Sequence, residues 1–189
     1  MGGLGSGNRY RWDKKTVVED CLSIDANRWT CEGILKVGVH HRGRWSWTYS
    51  NGKGFALNYL VDGQDPDHAS LHLTYSWTWG NTEKPESADY TVRLTTTRPY
   101  LGGLRWWFIC PLIVNGEACN RRVAKLYLPG SARYFGCRHC HRLTYESVQK
   151  HDKRVDWLRK NPEELAAIIN NPHRVRDSRL LLALKAAFP

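Results

Sequence analysis

The chain predicts an α+β fold: an antiparallel β-rich domain first, a cysteine-pinned ribbon next, and a short helical tail. Three patterns in its 189 residues carry that expectation. In several stretches between Arg44 and Thr97 apolar and polar side chains alternate with period two, the way an antiparallel sheet buries one face and wets the other. Cys110 and Cys119 are followed by Cys137 and Cys140, two pairs flanking a segment of strand character. Beyond Tyr145 the alternation stops and helix-start residues take over. Proline and glycine in Arg98-Pro99-Tyr100-Leu101-Gly102-Gly103 interrupt the pattern where the charge balance also shifts. The expected domains are therefore 1–100, a glycine-rich arm plus β-rich domain, 101–145, the ribbon, and 146–189, a basic helical tail.

The arm comes first. Gly2, Gly3, Gly5 and Gly7 lead into the basic, aromatic cluster Asn8-Arg9-Tyr10-Arg11-Trp12. A disordered tail, a backbone nest for phosphate, and an arm that enters a nucleic-acid groove or meets a partner all fit this composition. No strand precedes these glycines and the Lys-Ser/Thr of a P-loop is missing, which disfavours a nucleotide fold. The myristoylation-like start Met1-Gly2-Gly3-Leu4-Gly5-Ser6 is a short pattern that chance produces. From Thr16 a helix is expected, because Thr16-Val17-Val18-Glu19 has capping-box spacing and Val17, Val18, Cys21, Leu22 and Ile24 form a one-sided stripe. Cys21 and Cys31 read as a buried residue and a loop residue, since no second pair accompanies them.

Strands follow. Trp45, Trp47 and Tyr49 alternate with Arg44, Ser46 and Thr48, Asn51-Gly52 makes a turn, and Phe55, Leu57 and Tyr59 alternate again, so a hairpin is expected. Leu71, Leu73, Tyr75, Trp77 and Trp79 occupy one face of a longer strand, opposite His72, Thr74, Ser76 and Thr78, and another strand runs near Tyr90 to Thr97. The aromatic row has the form of a base-stacking platform, but the same alternation builds any half-buried sheet, and core is the favoured reading. The acidic turn Asp62 to His68 lacks the spacing of an EF-hand loop and reads as a solvated connection.

In the ribbon, Leu104 to Ile109 leads into Cys110. The stretch between the pairs, Asn120 to Gly136, matches the spacing of about 15–20 residues found between the knuckles of zinc ribbons. Arg121 to Leu128 and Arg133 to Phe135 are the expected ribbon strands, joined by Pro129-Gly130. The second knuckle, Gly136-Cys137-Arg138-His139-Cys140, is regular, whereas the first is lengthened, with a turn at Asn115-Gly116. Four thiolates satisfy one tetrahedral Zn2+ and leave no open position, so the expected cofactor is one structural ion held by Cys110, Cys119, Cys137 and Cys140. His139 and His141 are alternative ligands by chemistry, yet their basic neighbours suggest a surface turn. In the tail, a basic helical segment runs to about Lys160. Asn161-Pro162-Glu163-Glu164 then supplies an N-cap, a first-turn proline and dipole-compatible acids before Leu165, Ile168 and Ile169. Pro172 separates a last helix around Arg176 to Ala187.

Charge points to the partner. The net charge is +10, and it is unevenly spread: residues 1–100 hold 12 Lys/Arg against 11 Asp/Glu, and residues 101–189 hold 16 against 7. Such a footprint fits a polyanion, because a surface built for solubility mixes both signs. Arg121, Arg122, Lys125, Arg138 and Arg142 cluster around the knuckles and are the expected phosphate contacts. No stretch approaches about 18 consecutive apolar residues, so no membrane span is expected, and the chain shows no charged-then-apolar leader. The expected location is the reducing cytoplasm.

Gly2-Gly3-Leu4-Gly5-Ser6-Gly7, Trp107-Phe108-Ile109-Cys110-Pro111, Arg121-Arg122-Val123-Ala124-Lys125-Leu126-Tyr127-Leu128, and the run from Cys137 to Ser147 together resemble an uncharacterised bacterial protein family often carried on mobile elements. The resemblance spans most of the chain and implies a bacterial source and a zinc ribbon, but no reaction. Members carry a short Cys-Pro-x-Cys first knuckle, from which the insertion before Cys119 departs. The function expected is that of a nucleic-acid-binding accessory or regulatory protein, with DNA favoured over RNA by the mobile-element analogy. Two rivals stand beside it. One is a protein-binding inhibitor or adaptor of host machinery, whose basic face meets an acidic partner. The other is a nuclease using His40, His41, His72 or His139, for which no paired carboxylates or nucleophile-base spacing is visible.

Overall fold

The computed structural model describes residues 14–49, 52, 54–78, 85–150 and 153–170. The glycine-rich arm, Asn51, Trp79 and the helix expected over Arg176 to Ala187 lie outside them. The chain divides into two compact units, Met1–Thr144 and Tyr145–Pro189.

The helix expected from Thr16 is not formed. Val18–Asp20 make one 3-10 turn, and Val17 at its start has no side-chain cap. Leu22–Asp25 then form a strand, β1, and Ala26–Cys31 a helix, α1. The stripe containing Leu22 and Ile24 fits period two as well as a helical period. A strand partner decides the matter: Leu22, Ser23, Ile24 and Asp25 register with Leu128, Tyr127, Leu126 and Lys125, which seals Ile24 and Leu126 from solvent. Asp25 ends the strand and starts the helix, its carboxylate accepting from the Asn27 N–H at 2.9 Å. That corner aims Trp29 into the core, where its ring packs on Trp45, Tyr59 and Phe108 at 5.5, 5.1 and 6.1 Å.

The strands expected from alternation are present as β2 (His40–Thr48), β3 (Gly54–Asp62), β4 (Ser70–Trp77) and β5 (Glu86–Thr97). They are followed by β6 (Arg105–Ile109), β7 (Ile113–Val114), β8 (Glu117–Ala118), β9 (Arg122–Val123) and β10 (Lys125–Leu128). Six of them form one antiparallel sheet in the order β2-β3-β4-β5-β6-β9. Registers such as Trp45↔Leu57, Tyr59↔Leu73 and Leu94↔Phe108 put the buried residues of these strands on one face. The aromatic row of β4 belongs to that face: Leu71, Leu73 and Tyr75 are buried there. Gly43 sits among these inward positions because a Cβ there would fall 2.6 Å from the Tyr59 hydroxyl.

Residues 98–103 turn β5 back into its partner β6, with Gly102 and Gly103 at positive φ. The sheet therefore continues through the boundary expected at residue 100, and the first unit ends at Thr144. The ribbon strands are also rearranged. The expected strand over 121–128 breaks at Ala124, whose carbonyl accepts from the Ala26 N–H at 2.9 Å. Its first half pairs with β6 and its second with β1. Between 121–128 and 133–136 a single bridge remains, Tyr127 with Gly136.

The second unit contains α2 (Glu146–Lys150), α3 (Lys153–Lys160) and α4 (Pro162–Asn170). Val155 and Leu158 of α3 are buried against Leu165 and Ile168 of α4. Asn161 uses its side chain differently from the expected N-cap: its amide nitrogen donates to the Trp157 carbonyl at 2.7 Å and so closes α3.

Candidate metal centre

Two knuckles of chain deliver the cysteines. Cys110 directly follows β6 and is buried, with its N–H donating to the Arg121 carbonyl at 2.9 Å. The insertion that lengthens the first knuckle folds on itself as the β7–β8 hairpin, registering Ile113 with Ala118 and Val114 with Glu117. Its tip is the expected Asn115-Gly116 turn. Both residues have positive φ, 54° and 85°, the combination of a two-residue hairpin loop whose twist matches its strands. The hairpin closes where the Cys119 N–H donates to the Leu112 carbonyl at 2.9 Å. Although ten residues run from Cys110 to Cys119, the knuckle ends as if its loop were short.

The second knuckle is fastened to the sheet by two tyrosines. Tyr75 of β4 donates its hydroxyl to the Arg133 carbonyl at 2.7 Å, and the Tyr90 hydroxyl of β5 accepts from the Phe135 N–H at 2.9 Å. Phe135 fills the core beside Trp47 and Tyr75, at 6.2 and 5.7 Å. Burial pushes both phenols well above their ordinary range, Tyr75 to about 12. Gly136 then pairs both backbone groups with Tyr127, and a side chain there would collide with Leu112. After the turn the chain leaves through Thr144, whose N–H donates to the Thr16 carbonyl at 3.1 Å.

These loops bring the four ligand sulfurs within 4.8 Å of one another. Cys137 and Cys140 lie 3.5 Å apart, Cys119 and Cys137 3.8 Å, Cys110 and Cys140 3.8 Å. A disulfide needs about 2.05 Å, and none is formed. Four sulfurs each about 2.3 Å from a central tetrahedral ion stand about 3.8 Å apart, close to these three separations. Backbone donors support the sulfurs: the Cys137 N–H points to Cys110 Sγ at 3.2 Å and the Cys140 N–H to Cys137 Sγ at 3.4 Å. The group has the donors and the spacing to hold a metal ion.

The electrostatics agree. Cys137 is held well below the usual thiol range, at about 4, first by the hydrogen bond that the Cys110 thiol donates to it. Cys110 is pushed up, first through that same bond and then by burial, and Cys140 is pushed up to about 12, first by burial. Burial and the neighbouring Cys137 thus oppose negative charge on Cys110 and Cys140. Ionising all four in this half-buried volume requires a cation among them.

The other candidates sit elsewhere. Cys21 is half-buried, donates to the Val17 carbonyl and is raised to about 11, first by burial, while Cys31 is exposed at the end of α1. Neither joins the cluster. His139 is exposed, and His141 is half-buried with its Nε2 lacking a hydrogen-bond partner. In the acidic turn, Asp65 accepts from His68 Nδ1 at 2.7 Å and from the Asp67 N–H at 2.9 Å, a self-contained arrangement. His72 spends both ring nitrogens on its own strand neighbours, 2.9 Å to Asp89 and 3.2 Å to Thr91. His41 faces inward beside Tyr59.

The five basic residues expected to meet phosphate are distributed over three places. Arg121 and Arg122 lie exposed at the β9 edge of the sheet, and Arg138 and Arg142 belong to the second knuckle. Lys125 is on β10, with its Nζ 3.1 Å from Asp25. The structure adds a grouping that the sequence reading missed: the guanidinium groups of Arg105 and Arg122 both lie over the Trp107 ring, 4.3 and 5.4 Å from its centre. Arg105 and Trp107 occupy alternate, outward positions of β6, so period two was the signal for them. No protein-family model, curated protein or solved structure matches the chain.

Proposed function

We propose that the chain is a zinc-containing nucleic-acid-binding protein, an accessory or regulatory factor that acts on DNA in the bacterial cytoplasm. The observation that carries the reading is the set of four sulfurs at tetrahedral spacing with arginines on the loops that hold them. Zinc suits four thiolates with no open coordination position, and a closed site of that kind builds structure rather than performing chemistry. A reducing compartment keeps such thiolates available. Arg121, Arg122, Lys125, Arg138 and Arg142 supply positive charge around the metal-binding knuckles, and phosphate contacts of this type give affinity without reading sequence. DNA rather than RNA rests on the resemblance to proteins of mobile elements.

A second reading, a protein-binding inhibitor or adaptor, is favoured by one observation: Tyr100 and Leu101 are fully exposed at the β5–β6 turn. The two separate by experiment. Purified protein should contain one zinc per chain. Its affinity for duplex DNA should fall steeply with salt, and Arg121→Ala, Arg122→Ala and Arg138→Ala together should flatten that slope while leaving the metal in place. A parent protein that binds no nucleic acid at about 100 mM salt would turn the assignment to the protein partner.

A further inference from the structure

We propose that the outer face of the six-stranded sheet is a platform for single-stranded nucleic acid, an inference that rests on the nucleic-acid-binding function above and names the form bound. The registers determine what this face carries. Arg42 and Arg44 stand on β2, opposite Leu60 and Asn58; Arg93 stands on β5, opposite Ser70; Arg105 and Trp107 stand on β6, opposite Thr97 and Thr95; and Arg122 stands on β9, opposite Ile109. All alternate with core residues and therefore point away from the core. Against these five arginines the outward positions of the whole six-stranded sheet carry two aspartates, Asp62 and Asp89, and Asp89 is engaged by His72 at 2.9 Å. The charge of this face complements a phosphate chain.

Two features adapt it to bases as well as phosphates. Trp107 holds the Arg105 and Arg122 guanidinium groups over its ring, and its indole N–H is anchored by Thr97 at 2.8 Å. Planar cations held this way have lost much of their rotamer freedom before a ligand arrives, and their faces accept a stacked base. At the other end of the sheet His40, Arg42, Arg44, Asn58 and His72 line an open groove of about 850 Å³. Cationic side chains and a stacking group on one surface are the combination that single-strand binders use.

Size selects the single strand over the duplex. Six strands about 4.8 Å apart make a face about 24 Å across, twice the width of a major groove of about 12 Å. The face therefore cannot enter a groove to read base edges. A strand whose bases are already unpaired can lie across it.

The test measures binding of an end-labelled oligothymidine, an oligouridine and a duplex, each about 16 units long, to the full-length, metal-loaded protein at several salt concentrations. Single strands should bind about tenfold or more tightly than duplex. Arg42→Ala with Arg44→Ala, both exposed and remote in sequence from the cysteines, should weaken strand binding about tenfold and lower the log-log salt slope by about 1.4, the value for two lost phosphate contacts on a single strand. Trp107→Leu should weaken it too, and Trp107→Phe should restore most of the affinity. Binding of either oligonucleotide in this pattern supports the proposal, and the ratio between them separates DNA from RNA. Duplex-preferring binding that depends on Arg121 and Arg138 but not on Arg42 and Arg44 overturns the sheet platform and leaves the nucleic-acid function standing. Absence of binding to all three probes overturns both.

Discussion

Between β2 and β5 the chain seals Leu57, Val61, Leu71, Leu73 and Val92 almost completely from solvent, whereas between Cys110 and Cys119 the one buried residue is Cys110 itself. The first region holds its shape through many interchangeable contacts, each buried aliphatic side chain contributing about 1.5–3 kcal/mol. Apart from Phe135 and Leu143, the knuckles have no such reserve of buried apolar side chains. Their order depends on four sulfurs, two short hairpin strands and the Tyr75 and Tyr90 hydroxyls. A core of many small terms degrades gradually under substitution; a centre closed around one ion would fail at once.

The largest effect is expected where that contrast is most direct. Structural zinc contributes about 10–16 kcal/mol of folding free energy in small zinc domains, so chelation, or Cys137→Ser, should remove the ion and expose the amides of residues 110–143 to rapid hydrogen exchange. Amides of β3 and β4 should stay protected, and Cys21→Ser and Cys31→Ser should leave metal content unchanged. Equal protection of both regions after metal loss would break the comparison.

Next in size is the sheet. Leu73→Ala opens a cavity beneath Tyr59 and Tyr90, its registered neighbours, and should cost about 2–5 kcal/mol in denaturant unfolding. Metal content of the folded protein should not change. Loss of zinc together with sheet stability would mean the two regions fold as one unit, a sharper conclusion than the packing alone supports.

A smaller effect tests the tie between them. Tyr75→Phe leaves the Arg133 carbonyl without its donor and should cost about 1–3 kcal/mol. The same pair makes an alkaline prediction. The folded protein holds the Tyr75 proton to about 12 against an ordinary value of 10.0, and Tyr90 is raised as well. Across that window the unfolded chain releases protons that the folded chain retains, so this stability is full below pH 10 and falls as pH rises toward about 12. Circular dichroism across the range should show the loss, with a shallower slope in Tyr75→Phe.

Much of this protein is legible in its residues because the relevant signals are local. Alternation identifies which side of β2 to β5 is buried, Asn115-Gly116 specifies a turn requiring two positive φ values, and two cysteine pairs announce a shared ligand. Each of these depends on neighbours a few positions away. The choice of partner does not. Leu22 and Ile24 fit a helix or a strand equally well, and only the distant Leu126 and Leu128 make the strand the better burial. The break at Ala124 follows from the same competition, since two separate edges claim the halves of one strand. The outward arginines of β2, β5, β6 and β9 are unremarkable along the chain, and strand order alone gathers them on one face. Periodicity records which face of an element avoids water, while pairing is settled by the buried area gained between segments far apart in sequence, a quantity that exists only once the chain has closed on itself.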